Sequence, residues 1–391
     1  MTRRGWCPSL FSPMQTGDGL LLRLKPRLGV LTAPTARSLA DASAQLGNGI
    51  LGLTNRGNLQ LRGFTEASAA TFAEIAISLG LAMPDPAAEA RRCVLAPPLI
   101  GLDPELHPSC FDIARELDDS LASRAEFSGL PGKFGIVVDG GGALPLAEVK
   151  GDILVQPDGD FALISLDGGQ NAARVRLALA VEATLNVVRS FLDADPVPRM
   201  RDADPAMIFA ASGLPPRFAK LQRTSRPAIG ELPGAIGLGM PFGMMRAEDL
   251  VALADLAEMR GDTTLRLTPF RAILVPGVKV LPRLVLPTTH AILDPLDPLL
   301  RVEACPGAPA CMSATVDTLA AGLRAAAEAT WQDVLHVSGC AKGCAHSDAA
   351  SVALVGHDGA WDLVRHGRAG DAPILRGLSL ESILAQIGIQ E

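Results

Sequence analysis

Four cysteines near the C-terminus have the types and spacing to do chemistry. They read Cys305-Pro-Gly-Ala-Pro-Ala-Cys311 and, 28 residues later, Cys340-Ala-Lys-Gly-Cys344. The other three, Cys7, Cys93 and Cys110, are scattered. Thiolates grouped in two close pairs usually hold a metal, and sulfur ligands favour zinc or an iron–sulfur cluster. Zinc sites mostly use tighter pairs. Spacings of five and three residues suit the wider cage of a 4Fe–4S cluster, which takes four cysteine ligands. Zinc, a disulfide pair or unrelated buried thiols remain as alternatives.

A second chemical pattern lies in Thr54-Asn-Arg56-Gly-Asn58-Leu59-Gln60-Leu61-Arg62-Gly63. On a strand, period 2 puts Asn58, Gln60 and Arg62 on one face, with Arg56 at the turn and Leu59 and Leu61 facing a core. Guanidinium forks suit carboxylates, so this face reads as a candidate anion site, with a plain solvated sheet face as the alternative. Further basic candidates are Arg91-Arg92 and Lys133. The run Gly140-Gly141-Gly142 permits either close backbone approach or a hairpin turn. His346 follows Cys344 by two residues and is a candidate proton donor or a structural histidine.

The elements that must position these groups begin with a repeat. Residues 22–63 and 236–277 align without a gap at an offset of 214. Gly29, Gly47 and Gly63 return as Gly243, Gly261 and Gly277, and Leu53-Thr54 as Leu267-Thr268. Each copy predicts a strand (20–25), a helix (34–46), a strand (50–54) and a return strand (58–63), which is half of a ferredoxin-like unit. The two halves are expected to pair about a pseudo-two-fold axis. The twin of the polar strand reads Thr268-Pro-Phe270-Arg-Ala272-Ile-Leu274-Val-Pro276-Gly277, so only the first copy has a cationic face. An α/β segment is expected between the copies, with strands at 134–138 and 153–155, a turn at Pro157-Asp158-Gly159 and a helix over 171–192. The cysteine region predicts a helix near 316–327 capped by Ser313 or Thr315, and a buried strand at 334–337. The domain plan is 1–84 and 226–292 for the ferredoxin-like halves, 85–225 for a first α/β domain, and 293–391 for the α/β domain that carries the four cysteines. The fold class is α+β.

Bulk properties narrow the class. At 48% hydrophobic and 20% charged residues the chain is globular. No apolar run is long enough for a membrane span, and Met-Thr-Arg-Arg-Gly-Trp-Cys7-Pro lacks the apolar stretch of a secretory signal. A reducing, cytoplasmic compartment is expected. A net charge of −7 argues against a nucleic-acid surface.

Taken together, the cysteine pattern, the duplicated half and Leu-Thr-Asn-Arg-Gly-Asn-Leu-Gln-Leu-Arg-Gly resemble the sulfite and nitrite reductase superfamily. Arg4–Gly19, Lys133–Gly142 and Ser338–His346 are similar to its precorrin-3B synthase branch. The resemblance implies an oxygen-dependent monooxygenase that hydroxylates precorrin-3A at C20 and closes a γ-lactone, in aerobic cobalamin biosynthesis. It implies a 4Fe–4S cluster on the four cysteines, and a mononuclear non-haem iron with ligands unassigned. Arg56, Arg92 and Lys133 match three of the basic positions that bind the anion in sirohaem reductases; the fourth, a lysine, is Gly135 here. Asn58, Gln60 and Arg62 are expected to join them against substrate carboxylates, and His346 and Lys133 to act at the reacting centre. The partners implied are precorrin-3A, dioxygen and an external electron donor, NADH through a separate reductase or a ferredoxin, because no dinucleotide fingerprint follows a strand. The alternative is a nitrite or sulfite reductase with sirohaem bridged through Cys344. The chain after Cys344 is short against the fourth domain of the reductases.

Overall fold

The computed structural model describes residues 8–194, 199–218, 227–259, 261, 263–278, 286–328 and 333–387. Cys7 and the stretch before it lie outside the described residues.

The repeat organises two five-stranded sheets. The first half contains strand Gly19–Leu24, strand Val30–Thr32, helix Ala33–Leu46 and strands Ile50–Leu53 and Leu59–Phe64. The second contains Ala235–Gly239, Met244–Arg246, helix Ala247–Met259, Thr264–Leu267 and Ala272–Pro276. The three-residue strands, too short for periodicity to reveal, join the halves. Val30–Thr32 pairs with Thr264–Leu267 of the other half, and Met244–Arg246 pairs with Ile50–Leu53. The exchange keeps the 214 offset residue for residue: Leu31 faces Leu265, and its twin Met245 faces Leu51. The chain enters each exchanged strand through the same kink, with Leu28 at φ 50° and Phe242 at φ 55°, each followed by a glycine at φ 74°. The two helices pack on one another over a shared core that includes Leu22, Leu39, Leu51, Leu61, Leu253 and Leu265. These halves are therefore one domain with a pseudo-two-fold axis.

The other two sheets carry the repeat further than sequence alignment does. Val94–Leu95, Ile136–Val138 and Ile153–Asp158 are parallel, followed by antiparallel Phe161–Leu166 and Asn171–Arg176. Val302–Ala304, Leu335–Ser338 and Ala350–His357 are parallel, followed by antiparallel Ala360–Gly367 and Leu375–Leu378. In each, a helix (Cys110–Ser123 or Thr318–Ala327) joins the first two strands, and another (Ala180–Asp193 or Leu380–Ile387) follows the fifth; the first sheet adds a sixth strand, Pro216–Phe218.

Three local expectations need correction. The helix expected over 171–192 is strand Asn171–Arg176 followed by helix Ala180–Asp193; cross-strand pairing with Phe161–Leu166 overrides the helical reading of its first turn. The cysteine-domain helix is capped by Asp317, whose carboxylate accepts from Leu319 N and Ala320 N, and not by Ser313 or Thr315. Gly140–Gly142 is not a hairpin; it begins the loop between two parallel strands. Among the described residues no helix is long and apolar enough to cross a membrane.

Candidate functional site

Strand Val302–Ala304 delivers Cys305 and its parallel neighbour Leu335–Ser338 delivers Cys340. Both cysteine pairs therefore leave the same C-terminal edge of one sheet, where α/β folds place their ligands. Cys305 is buried; its N–H donates to Val337 O at 3.2 Å and its Sγ accepts from Gly339 N at 3.2 Å. The loop to Cys311 is closed by Cys311 N to Gly307 O at 2.7 Å and Ala308 N to Val316 O at 2.9 Å. Gly307 has φ 65°, and a Cβ there would run into Thr318. Cys344 is exposed as a residue, yet its thiol is held above the ordinary range, first by desolvation and then by Cys340, Cys305 and Cys311. All four thiols thus share one electrostatic neighbourhood, a repulsion that metal binding would relieve. Among the described residues no three His, Cys, Asp or Glu side chains converge closely enough for a single metal ion. A four-iron cluster spreads its ligands over four metal atoms and does not need three side chains on one ion. A mononuclear iron finds no ligand set among the described residues.

The return strand Leu59–Phe64 has the expected two faces. Leu59 and Leu61 are fully buried in the core, while Asn58 and Gln60 are half-buried on the other side. Gln60 lies between Gly52 and Arg23 on the neighbouring strands. Sequence reasoning missed Arg23; the signal was a lone arginine in the apolar run Leu20-Leu21-Leu22-Arg23-Leu24. Its Nε is buried and has no hydrogen-bond partner among the described residues. The twin positions are Gly237 and Leu274, opposite one another. There a Cβ on Gly237 would collide with the Ala228 carbonyl, and Leu274 is covered by Leu99, Leu144, Ile229 and Ile292. One half packs this face; the other leaves it polar.

The remaining candidates separate. Arg56 and Lys133 come together: Arg56 Nη2 donates to Lys133 O at 2.5 Å and Nη1 to Phe134 O at 3.1 Å. Gly135 is the seat of that guanidinium, since a Cβ there would stand 3.3 Å from Nη1. Cys93 lies within the fields of Lys25 and Arg56, but burial dominates and pushes its thiol up to about 12. Arg92 is buried and held by Glu89 at 3.0 Å and Asp118 at 3.5 Å. Arg91 donates to Leu121 O and Ala122 O at the end of helix Cys110–Ser123. Arg62 is buried against Asp18, with Nε to Oδ2 and Nη2 to Oδ1 both at 2.9 Å, and Nη2 also donates to Ala310 O at 2.7 Å. Arg62 and Arg92 thus already carry protein carboxylates. His346 Nδ1 lies 3.0 Å from Glu303 Oε2, and its ring centroid is 5.7 Å from that of His336. His336, missed from the sequence, is fully buried, and neither ring nitrogen has a hydrogen-bond partner among the described residues.

Residues 12–78 and 234–280 match the nitrite/sulfite reductase ferredoxin-like half domain, the same two segments that exchange strands. The chain is 34% identical to a precorrin-3B synthase of Sinorhizobium sp., over 95% of this chain and 84% of that protein. It is 25% identical to a ferredoxin–nitrite reductase of Synechococcus elongatus, over 90% and 79% of the respective chains. The structure of the NirA protein of Mycobacterium tuberculosis superposes with a TM-score of 0.70 at 17% identity, covering 94% of this chain and 79% of that one. The fold is thus that of the nitrite and sulfite reductases, and the chain belongs to the precorrin-3B synthase family of enzymes within that group.

Proposed function

We propose that this enzyme is a cytoplasmic precorrin-3B synthase of cobalamin biosynthesis, hydroxylating precorrin-3A at C20 with dioxygen and an external electron donor. The observation that carries the reading is the 34% identity spanning 95% of the chain to a protein of that name, against 25% for the nitrite reductase of Synechococcus elongatus. The asymmetry of the two halves agrees with it. Arg23, Asn58 and Gln60 offer donors on a sheet face whose twin is filled with leucine and isoleucine, and a tetrapyrrole bearing many carboxylates needs such donors for orientation. Arg56 and Lys133 bring positive charge to the neighbouring turn, where Gly135 replaces the additional lysine expected of a reductase.

Cys305, Cys311, Cys340 and Cys344 would hold a 4Fe–4S cluster, which when bound supplies electrons one at a time. The protein's own contribution is positional. The Gly339 N–H bonds the Cys305 sulfur, and such second-sphere bonds tune a thiolate ligand. Glu303 fixes the ring of His346 beside the cysteine loops, and His346 is the candidate for handling a proton there.

The test is anaerobic purification with an iron and sulfide count, followed by addition of precorrin-3A, reductant and labelled dioxygen. The expected result is four irons and four sulfides per chain, as the cluster's formula requires, with hydroxylated product whose new oxygen comes from dioxygen. Copurified sirohaem with enzymatic reduction of nitrite or sulfite would overturn the reading in favour of the reductase.

A further inference from the structure

Arg62 does not face solvent or an open groove. Its side chain is 5% exposed and is paired to Asp18, itself 14% exposed. Asp18 also accepts from Asn48 Nδ2 at 3.0 Å and from Thr16 Oγ1 at 2.8 Å. This network touches the loop between Cys305 and Cys311. The Ala310 carbonyl, one residue before Cys311, accepts from Arg62 Nη2 at 2.7 Å and from Gly17 N at 3.0 Å. The amide N–H of the same peptide group belongs to Cys311 and donates to Gly307 O at 2.7 Å. A peptide group is planar, so fixing its oxygen from one domain and its N–H from within the loop fixes the direction in which Cys311 leaves the backbone. Gly17 is required for the approach, because a Cβ there would collide with the Pro309 carbonyl. In the twin half, 214 residues on, Arg62 and Asp18 become Pro276 and Leu232, so the arrangement exists only in the half that meets the cysteine loop.

We propose that Arg62, held by Asp18 and Asn48, is a positioning residue for Cys311: it docks the first ferredoxin-like half onto the cysteine loop and keeps that loop in the geometry that binds the cluster. This rests on the reading that the four cysteines hold a 4Fe–4S cluster. It assigns Arg62 to cluster retention and away from substrate carboxylates.

The experiment compares anaerobically purified wild type, Arg62→Ala, Arg62→Lys, Gly17→Ala and Arg37→Ala. The readouts are iron and sulfide per chain, the absorption and paramagnetic signature of the reduced cluster, and the rate of iron release to a chelator. Arg62→Ala is expected to release iron at least about tenfold faster, the factor carried by one lost charge-assisted hydrogen bond, with an altered paramagnetic signature. Arg62→Lys keeps one charged donor and should restore part of the loss. Gly17→Ala, which leaves Arg62 and Asp18 in place, should act in the same direction. Arg37→Ala breaks a surface pair to Asp255 and Glu258 between the two packed helices and should leave the rate unchanged. Wild-type release rates in both Arg62→Ala and Gly17→Ala would overturn the proposal while the cluster reading stands. If Arg62→Ala does not fold, Gly17→Ala alone decides. Wild type without iron and sulfide overturns the cluster reading, and this inference with it.

Discussion

The pairing of Arg56 with Gly135 can be measured. No left-handed φ holds Gly135, and the nearest atoms to a Cβ there are Arg56 Nη1, Cζ and Nη2 at 3.3, 3.5 and 3.8 Å. A methyl group at this place must displace the guanidinium by a few tenths of an ångström. That strains its bonds to Lys133 O and Phe134 O, 2.5 and 3.1 Å long. Hydrogen bonds from a charged donor contribute about 1.5–3 kcal/mol each, so loosening the pair should cost about 1 kcal/mol. With Arg56 already truncated the clash is gone. Gly→Ala at a compatible backbone position then stabilises by about 0.4–1 kcal/mol through the unfolded chain. Gly135→Ala is therefore expected to change sign: weakly destabilising alone, stabilising in the Arg56→Ala background, with a coupling energy of about 1 kcal/mol, because the gain through the unfolded chain is common to both backgrounds. Urea denaturation of the four proteins of the cycle gives this number directly. Additivity within about 0.5 kcal/mol, the range for independent sites, would show that Gly135 is not the seat of Arg56.

Other outcomes follow from the same geometry. Replacing Cys305, Cys311, Cys340 or Cys344 by Ser should abolish or strongly reduce iron and sulfide content, whereas Cys93→Ser and Cys110→Ser should retain it; a full cluster signal in Cys340→Ser would remove the ligand assignment. His336 is pushed down to about 4, first by burial and then by His346, with Glu303 opposing. The unfolded chain therefore binds the extra proton below about 6.5, while the folded one does not until about 4. Stability should fall by up to about 3 kcal/mol as pH drops through that window, and denaturation of His336→Leu across the same range should lose that slope. Leu51 and Leu265 are twins, each fully buried in an exchanged strand pair. Leu51→Ala and Leu265→Ala should each cost about 3 kcal/mol, and a large inequality in their denaturation midpoints would deny that the two exchanges are equivalent.

Long-range organisation was legible where it left repeated residues. The matching glycines marked real constraints: Gly63 and Gly277 have φ 81° and 74°, and Gly29 and Gly243 share φ 74°. The alternation over Leu59–Phe64 gave the correct buried face because one side of that strand lies against a core. The strand exchange was hidden because Val30–Thr32 and Met244–Arg246 are three residues long. The fates of Arg62 and Arg92 were hidden for another reason. Arg62 meets Asp18, 44 residues away, and Arg92 meets Asp118, 26 residues away, besides its local partner Glu89, and one sequence does not say which distant carboxylate a buried arginine meets. Arg271 shows the limit most sharply. It is the twin of Gly57, adopts φ 55°, and donates to Val302 O and Leu300 O at 2.8 Å. A glycine position was given up for a long-range contact that no local pattern records.

These contacts explain why a duplicated fold needs its two copies to differ. The two α/β domains share one topology, so each loop in the first has a counterpart in the second. Gly140–Gly142, after strand Ile136–Val138, stands where Cys340–Cys344 stands after Leu335–Ser338. The glycines meet His107, Cys110 and Asp103 at close quarters, while the cysteines present thiols. The ferredoxin-like halves diverge in the opposite sense: the first keeps the polar face and the second packs it with leucine and isoleucine. Thiols therefore come from the second copy and polar donors from the first, and a reaction needing both must hold the copies in register. The strand presenting Gln60 also carries Arg62, two residues on, and Arg62 ends on the carbonyl before Cys311. From the second half, Arg271 grips Val302, the first residue of the strand that leads to Cys305. The first half thus holds the cysteine loop itself, and the second holds the strand that leads into it. The polar face and the loop that carries Cys311 are linked through one side chain, Arg62.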